Sequence, residues 1–188
     1  MLDTLQIVFW SITYVLIIIA GSQSKILRKV SMPYIAGILN FSWEICALYN
    51  SHGFWGHIMW LTLDLAIVYF SFKYIPTNKR KLIYTLSIII STFLLMYIFT
   101  LSNGMLFSVF IIDFIMAICF LVDRKKLSPK LKVPIAVTKL IGDTFAGLYY
   151  APQSIFIAGL AGLVLFCNMA YLYLCIWENE GIAPNKKK

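Results

Sequence analysis

Seven long apolar runs, joined by short polar connections, constrain this chain more than any single motif does. A bilayer core needs about 20 predominantly apolar residues per helix. By that ruler the runs fall at approximately 5–21, 31–49, 56–74, 82–101, 105–122, 133–151 and 154–177. Of the 188 residues, 61% are hydrophobic and 13% charged, too little polar surface to coat a soluble globule. The expectation is an all-α, polytopic integral membrane protein: one domain, a seven-transmembrane-helix bundle, with 178–188 as a tail. The first run has no basic segment before it and no small-residue cleavage site after it, so it reads as a retained helix.

Basic residues set the orientation. Lys25, Arg28 and Lys29 fall between the first and second runs, and Lys73, Lys79, Arg80 and Lys81 at the third-to-fourth turn. Arg124, Lys125, Lys126, Lys130 and Lys132 fall between the fifth and sixth, and Lys186, Lys187 and Lys188 end the chain. The N-terminus and the connections at 50–55, 102–104 and 152–153 carry no Lys or Arg. The positive-inside rule then places the N-terminus outside and the C-terminus in the cytoplasm. The setting is a multi-pass protein of the cell membrane, or of the endoplasmic reticulum in a eukaryote. The net charge of +8 is explained by topology and contact with membrane lipid, and no nucleic-acid partner is implied.

Acidic residues inside apolar runs are the informative departures. A carboxylate at the middle of a spanning helix costs about 2.5 kcal/mol or more, so it faces a bundle interior or a wet cavity. Glu44, in Asn40-Phe41-Ser42-Trp43-Glu44, and Asp64, in Trp60-Leu61-Thr62-Leu63-Asp64, each lie about six residues, roughly 9 Å, from the connection they share. That places them at matching depth on neighbouring helices, with Asn40 one turn from Glu44 and Trp60 one turn from Asp64. A carboxyl kept neutral in an apolar pocket can give a proton to a substrate shielded from water. Asp113 sits near mid-membrane, as interhelical bond or site residue. Lys139 and Asp143, at i and i+4, can form an ion pair, and Asn168 shares a face with Tyr171.

Other chemistries find no support. There is no glycine-rich phosphate loop, no Gly-x-Ser-x-Gly, no His-Glu-x-x-His and no Asp-Asp-x-x-Asp. His52 and His57 read as solvated residues of an outer loop, and no metal or cofactor is expected. Cys46, Cys119, Cys167 and Cys175 read as small buried hydrophobes.

Met32-Pro33, Asn40-x-x-Trp43-Glu44 and Leu61-Thr62-x-Asp64 through Tyr69, Lys73 and Pro76 resemble the small seven-helix membrane terpene cyclases of fungal meroterpenoid and indole-diterpene pathways, the paspaline- and pyripyropene-type cyclases. Lys139-x-x-Gly142 and Ala151-Pro152-x-Ser154 extend the resemblance over most of the chain. It implies cyclisation of an epoxidised prenyl chain on an aromatic or indole head group, with Glu44 at the position of the glutamate that protonates the epoxide. A second acid of that family, in the last helix before a Tyr, corresponds to Asn168, so Asp64 or Asp143 must take its role or the reaction differs.

The reading that follows is acid-initiated cyclisation of a lipophilic prenylated small molecule. Glu44 protonates an epoxide or alkene, Asp64 anchors or tunes it, and Asn40 or Asn168 orients the substrate. The faces of Trp43, Trp60 and Tyr150 steady carbocation charge. The rival is a small transporter or lipophilic-ligand-binding protein that uses the same acids to relay protons or bind a cation.

Overall fold

Each apolar run folds as one α-helix in the computed structural model, which describes residues 2–22, 32–50 and 55–179. The helices are α1 (Leu2–Ser22), α2 (Met32–Asn50), α3 (Trp55–Tyr74), α4 (Asn78–Phe99), α5 (Gly104–Asp123), α6 (Pro129–Tyr150) and α7 (Ile155–Asn179). Short 3₁₀ turns at Arg124–Lys126 and Ala151–Gln153 join α5 to α6 and α6 to α7. No strand occurs among the described residues. Lys25, Arg28, Lys29, His52 and the terminal lysines lie outside the described residues.

Two helices start four residues before the hydropathy reading, and both for the same reason. α4 begins at Asn78 rather than 82, because Thr77 in extended conformation caps it, its hydroxyl accepting the Arg80 N–H. α6 begins at Pro129 rather than 133, with Ser128 extended at the N-cap and proline in the first turn. Lysines occupy both first turns, with Arg80 beside them in α4, so a ruler that counts apolar residues starts too late. At the far end of α4 the chain turns through Asn103 in the left-handed region, φ 58°. Gly104 follows, where a side chain would run into the Ile98 backbone.

Six helices close a ring. α1 packs on α3 and α6, α3 on α2, α2 on α5, α5 on α7, and α7 on α6. α4 lies outside this ring, seated against α2 and α5. It buries little beyond Tyr84 and Leu95, while Leu82, Ile90, Phe93 and Leu94 are well over half exposed. An apolar surface of that extent has no place in water and matches a lipid-facing helix. α3, α4, α5 and α7 are each long and apolar enough to cross a membrane, and α1 holds a shorter apolar stretch, Thr4–Ala20. α2 and α6 dilute their hydropathy with residues turned into the ring: Asn40, Ser42 and Glu44 on one, Lys132, Lys139 and Asp143 on the other, all buried.

The bundle has two unlike ends. The α4–α5 and α6–α7 connections, residues 100–103 and 151–154, carry no charge. The α3–α4 and α5–α6 connections are flanked by Lys79, Arg80, Lys81 and by Arg124, Lys125, Lys126. At this basic end Glu178 of α7 accepts from Arg124 Nε at 3.1 Å and from Lys132 Nζ at 3.0 Å, tying α5, α6 and α7 together. Between the ends, the ring interior is apolar packing around Trp10, Tyr14, Trp43, Met116, Phe120 and Tyr171, interrupted by the polar groups described next.

Candidate active site

A cavity of about 110 Å³ lies inside the ring toward the uncharged end. It is built from the start of α1, the second half of α2, the start of α3, the first half of α5 and the last residue of α6. Five elements meet there because odd-numbered helices begin, and even-numbered ones end, at this level. Glu44 is in its wall, 5% exposed. Its Oε2 lies 2.8 Å from Nδ1 of His57, a residue of the first turn of α3 that is 7% exposed.

His57 is therefore not a solvated loop residue. Antiparallel packing of α2 on α3 sets Glu44 opposite His57, and the imidazole is walled by Trp43 (centroids 5.6 Å) and Trp60 (6.0 Å). Trp43 in turn donates its Nε1–H to Ser108 Oγ at 3.0 Å, fixing the α2 wall to α5. A clue was present in the sequence: Trp60 stands one turn after His57, so an apolar neighbour shares its helix face. His52 falls outside the described residues.

Asp64 is also displaced from its expected place. The residue of α3 level with Glu44 is His57, and Asp64 follows seven positions later, about 10 Å further along the helix. Asp64 is fully buried but does not line the cavity. Neither of its oxygens has a hydrogen-bond partner of good geometry among the described residues. Tyr14 is beside it. The Tyr14 hydroxyl accepts from Asn40 Nδ2 at 2.8 Å and so keeps its own proton to offer. Glu44 and Asp64 are thus joined by charge through space rather than by contact.

Below the cavity lies a second polar cluster, made by α6 and α7. Lys139, with no exposed surface, places Nζ 2.7 Å from Asp143 Oδ2, as the four-residue spacing led one to expect. Asn168 Nδ2 donates to the same carboxylate oxygen. Nζ of Lys139 also lies 4.4 Å from the Trp10 ring centroid, and the indole is a hydrogen-bond neighbour of Asp143. The same indole lines the cavity, so Trp10 is the partition between the two clusters. Gly142 makes room for it: a Cβ there would lie 2.9 Å from Trp10 Cδ1.

Of the residues singled out from the sequence, the structure brings Glu44, Asn40, Trp43, Trp60, Asp113 and Tyr150 to the cavity wall. Lys139, Asp143 and Asn168 come together beneath it, and Asp64 stands apart. Asp113 links the two levels, lining the cavity while lying within electrostatic reach of Asp143, Lys139 and Glu44. Sequence reasoning missed His57, Tyr14 and Trp10. Trp60 Nε1 and Gln6 Oε1, both on residues of the cavity wall, have no hydrogen-bond partner among the described residues. No group of three or more His, Cys, Asp or Glu among the described residues is arranged to hold a metal ion. The chain matches no known family profile, no curated protein and no solved structure.

Proposed function

We propose that this protein is a multi-pass membrane protein of seven spans, its basic end in the cytoplasm, that works as a terpene cyclase-like acid catalyst on a lipophilic prenylated substrate. The observation that carries the reading is the Glu44–His57 pair, buried in the wall of a cavity and flanked by the indoles of Trp43 and Trp60. With Nδ1–H of His57 donating to Oε2, the other carboxyl oxygen of Glu44 is left to carry a proton to the substrate. That proton passes to an epoxide oxygen; the tertiary C–O bond breaks as a neighbouring alkene supplies electrons to the carbon. Indole faces offer π density to the cation. Loss of a proton from the last cation, to Asp113 as the other carboxyl lining the cavity, gives a product isomeric with the substrate.

Asn168, at the position where the resemblance implies an acid, has a physical counterpart here. Its amide donates to Asp143, so a carboxyl is retained at that place on α6 instead of α7. This favours Asp143 over Asp64 for the second acid. The cavity holds only the reacting tip of a prenyl chain, since about 150 Å³ is needed for a benzene-sized guest. Ring closure requires the helices around it to separate.

The test is incubation of membranes containing the protein with epoxidised prenyl phenols or indoles, followed by a search for isobaric cyclised products. Glu44→Gln is expected to cut turnover by at least about 100-fold, the usual contribution of a positioned general acid, with folding retained. Undiminished turnover in that variant sinks the reading. Asp64, sealed in the core with no hydrogen-bond partner of good geometry among the described residues, favours a second one, a small transporter using these acids. Proton-coupled flux in proteoliposomes, with no cyclised product, would select it.

A further inference from the structure

A second hollow, of about 570 Å³, opens at the basic end between α2, the end of α3 and the start of α4. It shares no lining residue with the cavity at Glu44. Ile38, Ile75 and Ile83 give it an apolar wall, and Arg80, Tyr34 and Tyr74 bring polar groups to it. Its inner limit is Tyr84, 5% exposed, whose hydroxyl has no hydrogen-bond partner of good geometry among the described residues. That hydroxyl rests on Gly37, where any Cβ would displace it, and the ring meets Tyr34 edge to face at 6.2 Å.

Charge around this groove is of one sign. Lys73, Lys79 and Lys81 accompany Arg80, and no Asp or Glu occurs anywhere between residues 65 and 112. None of the four cations forms an ion pair with another described residue. At the α5–α6 connection, by contrast, Arg124, Lys126 and Lys132 are each paired with Glu178 or Asp123, leaving Lys125 and Lys130 without an ion pair among the described residues. The α3–α4 end therefore holds positive charge with no acidic partner among the described residues, directly beside an apolar hollow. From Ile83 an exposed apolar track continues up the outer face of α4 through Ile90, Leu94 and Tyr97, spaced at whole turns.

We propose that this groove binds an anionic phospholipid of the leaflet at the α3–α4 turn. Arg80 takes the phosphate, since a guanidinium fork matches phosphate oxygens. Lys79 and Lys81 add attraction for a second negative charge on the headgroup. One acyl chain lies in the hollow and along α4. An inorganic phosphate shares the headgroup chemistry but uses none of the apolar wall, and a zwitterionic lipid uses the wall but forgoes the unpaired cations.

The experiment is native mass spectrometry and thermal unfolding of the full chain in neutral detergent, titrated with phosphatidylglycerol, phosphatidylcholine, glycerol phosphate or inorganic phosphate. Phosphatidylglycerol is expected to bind at least tenfold tighter than phosphatidylcholine and to raise the unfolding temperature, with the two soluble phosphates inert at the same concentration. Arg80→Gln is expected to reduce phosphatidylglycerol binding to the phosphatidylcholine level. Ser87→Phe, which keeps every charge and fills the hollow, is expected to weaken both lipids at least tenfold. Equal affinity for the two lipids in the unaltered protein overturns the proposal, as does an unchanged preference in Arg80→Gln or an unchanged affinity for both lipids in Ser87→Phe. Stabilisation by inorganic phosphate equal to that by phosphatidylglycerol overturns it too, leaving an anion site with no lipid chain.

Discussion

His57 and Lys139 are basic side chains buried inside the ring, and each faces a carboxylate. Replacing His57 by Gln keeps an N–H to hold Glu44, whereas Ala leaves the carboxyl in apolar surroundings without it. Under the proposed chemistry, His57→Ala is expected to lose about 100-fold or more in product formation, and His57→Gln to recover at least a tenth of the normal rate. Equal rates in the two variants would show that the imidazole does not position Glu44. For the lower cluster the readout is stability. Lys139→Ala strands Asp143, with Asn168 as its remaining strong donor, and removal of one partner of a buried pair costs about 3–5 kcal/mol. Lys139→Met combined with Asp143→Asn removes both charges and keeps an amide facing Asn168. Thermal unfolding should show the double variant recovering at least half of that loss. The pair Lys139 and Asp143 was legible from its spacing of four; the pair Glu44 and His57 was not. It depends on how deeply α3 starts relative to α2, which spacing within one helix does not set.

Glycines test the helix contacts because the space around each is known. At Gly104 a Cβ would sit 2.8 Å from the Ile98 carbonyl carbon, and backbone cannot give way as a side-chain tip can. Gly104→Ala is expected to destabilise the α4–α5 turn by about 1–3 kcal/mol, the usual penalty of overpacking. Gly159, on α7, has nothing within 4 Å of its absent Cβ. Gly159→Ala is expected to be neutral or to stabilise by about 0.5–1 kcal/mol through helix propensity alone. Thermal unfolding of the two variants side by side checks both, and a reversed order would contradict the described packing. All seven helices could be read from apolar runs because length and hydropathy are properties of one segment. The starts of α4 and α6 were hidden by charges in their first turns, although Thr77 and Ser128-Pro129 marked both.

Across the whole molecule, the unlike ends give the proposed orientation a direct test. Ser102 and Gln153 are exposed at the uncharged end and Asn78 at the basic end. In intact cells, Ser102→Cys and Gln153→Cys are expected to react with a membrane-impermeant maleimide, and Asn78→Cys only after lysis. Labelling in the opposite pattern would invert the topology, and labelling of all three in intact cells would argue against seven spans. The ring order of helices was beyond the sequence, since loops join neighbours in the chain but say nothing of α1 meeting α6. That contact matters most at Trp10, whose indole has the cavity on one side and the ammonium of Lys139 against its ring. A guest pressing on this shared wall must alter the electric field at the indole, so the fluorescence of a variant retaining only that tryptophan should change colour on occupancy. The protein thereby carries its own optical gauge, placed where the filling of the cavity is felt by the ion pair beneath it.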